Sequence, residues 1–239
     1  MLLLKNWLET RWWFFFYVGF FVVVLSSGYA QFAHGRPANP FPAVQRLAGT
    51  LSVFTLFWIM PAVMLGGAGI KTSAPFKASR GLHESMQFTL SLPVSRLRLL
   101  STRSGLGLLE MAGIVLVGCL GLSILLPVQF PELSFSAADL LRYALTVLSC
   151  TTGFFFISVL SATFLDDMWQ YCGSLIAIVL LRGLSSFIRV PAHLDIFHSI
   201  GGGSPLVTHA IPWTAIGISL GVGCMLFAIA VKIVETREY

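Results

Sequence analysis

The chain has 239 residues, 56% hydrophobic and 10% charged, with a mean hydropathy of +0.84 and a formal net charge of +5. Soluble domains carry about 25% charged residues, so this composition excludes a water-soluble globule and makes the lipid bilayer the expected solvent. The positive charge gathers on one side of the predicted membrane, which reports topology and not nucleic-acid binding.

Residues 1–11 read as an interfacial helix, with Leu4, Trp7 and Leu8 on one face and Lys5 and Glu9 on another. Lys5, Glu9 and Arg11 interrupt the apolar run and no small-residue cleavage site follows, so a cleavable signal is not expected. Six membrane spans are then predicted, at 12–32, 47–70, 106–126, 140–165, 168–184 and 211–231. Each is near the ~20 apolar residues a crossing needs, and all must be helices because lipid satisfies no backbone group.

Within these spans several residues stand out. Pro61 frees a carbonyl in span two. Thr55, Trp58 and Pro61 either face a translocation path or pack against neighbouring helices. Glu110 lies about one turn inside span three, where a carboxylate is costly. It either lines a vestibule, pairs with a basic group, or reaches back to interfacial water. Ser136-Ala-Ala-Asp139 is a capping box opening span four, and Asp167 opens span five behind a tight turn. Asp166 and Asp167 therefore read as caps and not as a proton site. Arg182 is expected to snorkel to the interface. Gly217 and Gly221 form a GxxxG pattern that suits close helix approach inside the bundle or between subunits. Cys119, Cys150, Cys172 and Cys224 read as buried thiols without a disulfide or metal.

Segment 185–210 is long for a connection. The stretch AHLDIFHSI is amphipathic as a helix, with Leu194, Ile196, Phe197 and Ile200 on one face and Asp195, His198 and Ser199 opposite. Gly201, Gly202 and Gly203 break it, and Ser204-Pro205 supplies an N-cap and first-turn proline for a second short helix. Two short helices resting on, or dipping into, the outer leaflet are expected. His193, Asp195, His198 and His209 do not converge at ~100° per residue, so no metal site is assigned.

Lys and Arg set the orientation. Lys5, Arg11, Lys71, Lys77, Arg80, Arg96, Arg98, Arg103, Lys232 and Arg237 fall on one side, and Arg36, Arg46, Arg142, Arg182 and Arg189 on the other. The bias predicts a multi-pass protein of the cell membrane with both termini cytoplasmic. Trp12, Trp13, Tyr17, Trp169 and Tyr171 would mark the inner interface, and Tyr29, Tyr143 and Trp213 the outer.

The cytoplasmic segment 71–103 is the most basic connection in the chain. From Arg80 to Leu92 there is no proline, and Leu82, Met86 and Leu90 recur every four residues while Arg80, His83, Glu84 and Gln87 lie largely elsewhere. Pro93 ends this helix, and Ser95 can cap a second one that starts at Arg96 and runs into span three. The same features would also suit a basic loop that sets topology and binds anionic lipid.

The run HESMQFTLSLPVSRLRLLSTRSGLGLLE, within residues 80–110, resembles the cytoplasmic segment of the six-helix permeases of ABC transporters, the type-2 export class. The resemblance implies an all-α integral membrane protein forming one permease domain over 1–239. It implies an N-terminal interfacial helix, a cytoplasmic coupling helix between helices 2 and 3, and short extracytoplasmic helices between helices 5 and 6. His83, Glu84, Met86, Gln87, Phe88 and Leu90 would seat in a groove on a nucleotide-binding subunit, with Pro93, Ser95 and Arg96 as the corner behind them. The chain has no GxxxxGK[ST] phosphate loop. The expected partners are therefore a separate ABC ATPase that binds ATP and Mg, a second permease copy, and the bilayer. No chemistry and no cofactor are expected in this chain. The alternatives are a membrane-embedded enzyme, or a non-transporting assembly or sensor subunit that recruits a cytosolic partner.

Overall fold

The computed structural model describes residues 2–33, 42–67, 95–165 and 167–236. Among these every element is helical: α1 (Leu2–Ala33), α2 (Ala43–Gly67), α3 (Arg96–Gln129), α4 (Ala137–Phe164), α5 (Asp167–Phe187), α6 (Ile196–Ile200), α7 (Pro205–Thr208) and α8 (Trp213–Thr236). Five of them, α2, α3, α4, α5 and α8, are long and apolar enough to cross a membrane, with mean hydropathies of 1.3 to 2.4. The chain is a multi-pass helical membrane protein.

The first of the six expected spans is the one that differs. In α1 the apolar stretch, Thr10–Val24, is shorter than a span among the described residues. The residues read as an interfacial helix and those of the first expected span lie on one continuous helix, since α1 runs unbroken from Leu2 to Ala33. The sequence gives the reason: neither proline nor glycine occurs between Leu2 and Val18, so nothing interrupts helix hydrogen bonding.

Inter-helix contacts fix the directions. Thr10 and Phe14 of α1 meet Glu110 and Gly113 of α3, so these helices run parallel. Cys150 and Phe156 of α4 meet Ser219 and Phe227 of α8, again in parallel. The long helices thus alternate up and down. One end of the bundle holds Leu2, Gly67, Arg96, Phe164 and Thr236, and is called the termini end. The other carries α6 and α7, and is called the loop end.

Helix α4 is central. It touches α2, α3, α5, α6, α7 and α8, and 61% of its apolar window is buried, against 17% for α5 and 28% for α8. In lipid, helices associate through close packing and interhelical hydrogen bonds, so small and hydroxyl residues mark the contacts. At Gly66 of α2, a Cβ would sit 2.5 Å from the Phe155 carbonyl oxygen of α4. Ser158 Oγ of α4 donates to the Val63 carbonyl of α2 at 2.6 Å. Ser219 Oγ of α8 donates to the Cys150 carbonyl at 2.7 Å and accepts from Gly153 N–H at 3.1 Å.

The expected caps at Ser95 and Ser136 form. Ser136 Oγ accepts from Asp139 N–H at 3.1 Å and donates to Asp139 Oδ2 at 2.7 Å. Helix α5 starts at Asp167, while Asp166 lies outside the described residues. Helix α2 continues through Pro61. The thiols divide: Cys119 and Cys150 are buried, but Cys172 and Cys224 are exposed on the outward faces of α5 and α8. Burial of all four thiols is thereby corrected.

Candidate functional site

Of the residues assigned to the cytoplasmic docking helix and its corner, His83, Glu84, Met86, Gln87, Phe88, Leu90 and Pro93 lie outside the described residues. Ser95 and Arg96 begin the described part. Ser95 is the N-cap of α3, with extended backbone (φ −60°, ψ 139°), and its Oγ accepts from Arg98 N–H at 3.3 Å. Its carbonyl accepts the first helical bond, from Leu99 N–H at 3.1 Å. From Arg96 onward α3 is a single helix of 34 residues ending at Gln129, with Pro127 only in its last turn.

Glu110 is 2% exposed, and it receives a hydrogen bond from Thr10 Oγ1 of α1 on its Oε1. Its Oε2 has no hydrogen-bond partner. Arg103, two turns earlier on the same helix and also buried, is the cation whose field reaches it. The carboxylate therefore fastens α3 to α1 near the termini end and faces the inside of this chain's bundle. Thr10 was not singled out from the sequence. A buried acid needs donors, but no local pattern in the sequence marks Thr10, one hundred positions away, as the one that supplies it.

Thr55 and Trp58 are also turned inward. Thr55 is buried and its Oγ1 donates back to the Leu51 carbonyl at 3.2 Å. Trp58 is fully buried, and its Nε1–H donates to Tyr143 Oη of α4 at 2.9 Å. Its ring lies 4.7 Å from that of Phe21 and fills the space a side chain at Gly118 would take. Both residues occupy helix–helix contacts of α2 with α1, α3, α4 and the loop-end segment.

That segment follows the expected order but not the expected detail. Helix α6 is short, and Asp195, expected on its polar face, is instead its N-cap: Oδ1 accepts from Phe197 N–H at 2.9 Å and His198 N–H at 3.3 Å. Leu194 precedes the helix and is exposed, whereas Ser199 is buried, so the proposed apolar and polar faces are both revised. Helix α7 has Pro205 at its first turn as expected, but Ser204 makes no side-chain capping bond and its buried Oγ is unpartnered. The glycine triplet explains the depth reached. At Gly201 a Cβ would lie 2.9 Å from both Ser52 Cα and Thr55 Oγ1. Ser52 is nine residues into α2, roughly 14 Å along its axis. The segment therefore dips beside α2 and does not rest on top of the bundle.

Both ends of this dip are fastened by charge. Arg182 Nη1 of α5 lies 3.6 Å from Asp195 Oδ2, and its guanidinium sits 5.2 Å from the Phe197 ring centre. Arg182 is therefore a partner of α6, which replaces the expected snorkelling. His209 closes α7 with a left-handed backbone (φ 56°). Its Nδ1 lies 3.2 Å from Asp139 Oδ2, and its carbonyl accepts from Arg142 Nη1 at 3.2 Å. Thr214 Oγ1 donates to the His193 carbonyl at 2.5 Å. Asp195 and His209 are thus committed to separate structural contacts. Arg46 pairs with Glu132 at 3.1 Å beside Phe130, closing the loop-end side of α2 and α3.

Gly217 and Gly221 have no heavy atom within 4 Å of the Cβ each would carry, so the GxxxG face of α8 points away from this bundle. Of the two placements open for it, the one inside the bundle is removed. Comparison with known proteins gives no match: no family model, no curated protein and no solved structure is similar to this chain.

Proposed function

We propose that this chain is the permease subunit of an ATP-driven ABC exporter of the six-helix type, acting as one half of a dimeric transporter. Its partners in this reading are a nucleotide-binding ATPase subunit, which holds ATP and Mg, and a second permease copy, identical or related. The chain itself catalyses no chemistry. It sits in the cytoplasmic membrane with both termini, and the segment between α2 and α3, on the cytoplasmic side. Two features of the fold that bear on its finer layout, a sixth span formed by α1 and an interfacial position of its first turns, belong to this proposal.

The observation that carries the reading is the join at Ser95. The run that resembles a coupling segment passes through Ser95 into α3, which starts there as one capped helix of 34 residues. A helix without an internal break transmits displacement as a rod. A push delivered to 80–92 therefore meets no soft joint between the corner at Pro93–Ser95 and the middle of the bundle. Closure of two ATPases around ATP draws the two coupling helices together and rotates α3. The same segment joins α2 to α3, so α2 moves with it, and α1 follows α3 because Thr10 is bonded to Glu110. The bias between the two states comes from the differential affinity of nucleotide for them.

The test is co-purification with the candidate ATPase and measurement of ATPase stimulation across a compound panel. Glu84→Arg and Met86→Asp are expected to uncouple that stimulation while the bundle stays folded. Normal stimulation and transport by both variants would remove the role of the helix. Absence of any associated P-loop ATPase would turn the reading toward a non-transporting assembly or sensor subunit.

A further inference from the structure

The termini end of the bundle contains polar groups that the packing leaves unmet. Gln170, in the first turn of α5, is 0% exposed, and neither its Nε2 nor its Oε1 has a hydrogen-bond partner. Its amide fills the space that Gly67, the last residue of α2, leaves by having no side chain. Ser158 Oγ of α4 borders that space, but its hydrogen is already given to the Val63 carbonyl. Ser174, one turn further along the same face of α5, is likewise 0% exposed, and its Oγ has no partner.

Burying an amide or hydroxyl removes its hydrogen bonds to water, and without a replacement that loss is not recovered. Buried polar side chains in native structures are for the most part paired, and an exception calls for a specific cause. Leucine or methionine at 170 would fill the same space without this penalty. The position of the unmet groups is informative. They lie where α5 touches the last turn of α2, and α2 leads directly into the segment assigned to ATPase docking.

We propose that Gln170 and Ser174 are positioning residues for a second arrangement of the bundle, in which the last turn of α2 shifts along α5 and its main chain pairs with them. Their unmet state in the present arrangement raises its free energy and so narrows the gap to the other state. This rests on the transport reading for its direction, since nucleotide closure is what would move α2. It explains why a glycine stands at 67: any side chain there would occupy the place of the amide and hold the two helices apart.

The experiment uses the full chain with its ATPase in nanodiscs, as wild type, Gln170→Met and Ser174→Ala. The first readout is Tm without nucleotide, the second is Tm after vanadate trapping, and the third is ATP-dependent transport. Expected is a rise of about 2–4 °C for Gln170→Met without nucleotide, a smaller rise for Ser174→Ala, no rise in the trapped state, and about a tenfold loss of transport. A fall in Tm of both variants without nucleotide would overturn the proposal, because the groups would then be held by bound water. A rise in Tm with unchanged transport would overturn it too. Failure of the wild type to stimulate any ATPase would instead sink the transport reading, while the nucleotide-free Tm of the chain alone still tests whether the two groups are unmet.

Discussion

Arg182 and Asp195 face each other across 3.6 Å, and through that contact one carboxylate performs two tasks at once. Its Oδ2 meets the α5 guanidinium, while its Oδ1 starts α6 by accepting two main-chain N–H groups. Asp195 is the more enclosed partner, with its side chain 15% exposed against 51% for Arg182. The half-exposed arginine limits what the charge pair contributes, to about 0.5 kcal/mol. The cap is worth more, about 1 kcal/mol. Asp195→Asn, which keeps a capping oxygen, is therefore expected to lose less than half as much stability as Asp195→Ala. Thermal unfolding of the two purified variants checks the order. Equal losses would show that the ion pair, and not the cap, holds α6.

Arg189 and His209 both have left-handed backbones, with φ of 52° and 56°, where glycine is the unstrained residue. They predict opposite outcomes. Arg189 follows the end of α5, and the bond from Val190 N–H to the Ser185 carbonyl at 3.0 Å is the closing bond of a helix stop. Its side chain is exposed and makes no hydrogen bond or ion pair among the described residues, so Arg189→Gly should stabilise the protein by about 0.5–1 kcal/mol. The imidazole of His209 meets Asp139, so His209→Gly gives up that contact as it relieves the backbone. The net change should be a loss, with α7 freed from α4. Chemical unfolding in detergent gives the sign for each. A gain for both would mean that the His209 contact with Asp139 contributes nothing.

How far the sequence carries depends on the distance over which its signals act. Helix starts at Ser95 and Ser136 were legible because a cap is a bond between residues three positions apart, and the start at Pro205 because proline's fixed φ suits a first turn. Hydrophobic length located five of the six expected spans, since the bilayer thickness is a fixed external ruler. The identity of the residue at a contact was not legible. Nothing near Glu110 in the chain points to Thr10, one hundred positions away, and nothing near Arg182 points to Asp195. Such pairs come from the packing of helices whose surfaces are all apolar, so hydropathy does not rank their faces. Asp195 was misplaced because a nine-residue amphipathic pattern outweighed the capping preference of aspartate. The docking helix expected at 80–92 lies outside the described residues.

The bond from Thr10 to Glu110 gives a sharp asymmetry between two substitutions. Thr10→Val keeps the shape of the side chain and removes the donor, leaving a buried carboxylate with no hydrogen bond on Oε1. Hydrogen bonds to charged groups are worth about 1.5–3 kcal/mol, and a buried group left unmet loses its desolvation as well. Glu110→Gln keeps an acceptor for the Thr10 hydroxyl and removes the charge. Thr10→Val is therefore expected to destabilise by about 2 kcal/mol, and Glu110→Gln by less than half of that. The double variant should resemble Glu110→Gln more than the sum of the two. Additive losses would show that the two residues do not act as a pair.

The glycines of α3 and α8 separate helix contacts inside the chain from those outside it. Gly118 lies under the ring of Trp58, which is itself fully buried and bonded to Tyr143. A methyl group at 118 must push that ring from its site, and overpacking of a rigid core costs about 1–3 kcal/mol. Gly118→Ala should lower the Tm by several degrees and redshift the emission of Trp58, as its indole loses the enclosed position. Gly217 and Gly221 meet open space. In a single chain, Gly217→Ala and Gly221→Ala should be neutral or stabilising by up to about 1 kcal/mol, because alanine is the better helix former. Larger residues then decide what covers that face. Gly221→Leu should leave the fold of the chain intact, because no part of its own bundle is displaced. If the dimer of the transport reading is built on this face, Gly221→Leu will weaken the dimer and reduce transport with no fall in monomer Tm. An unchanged dimer would assign the face to lipid.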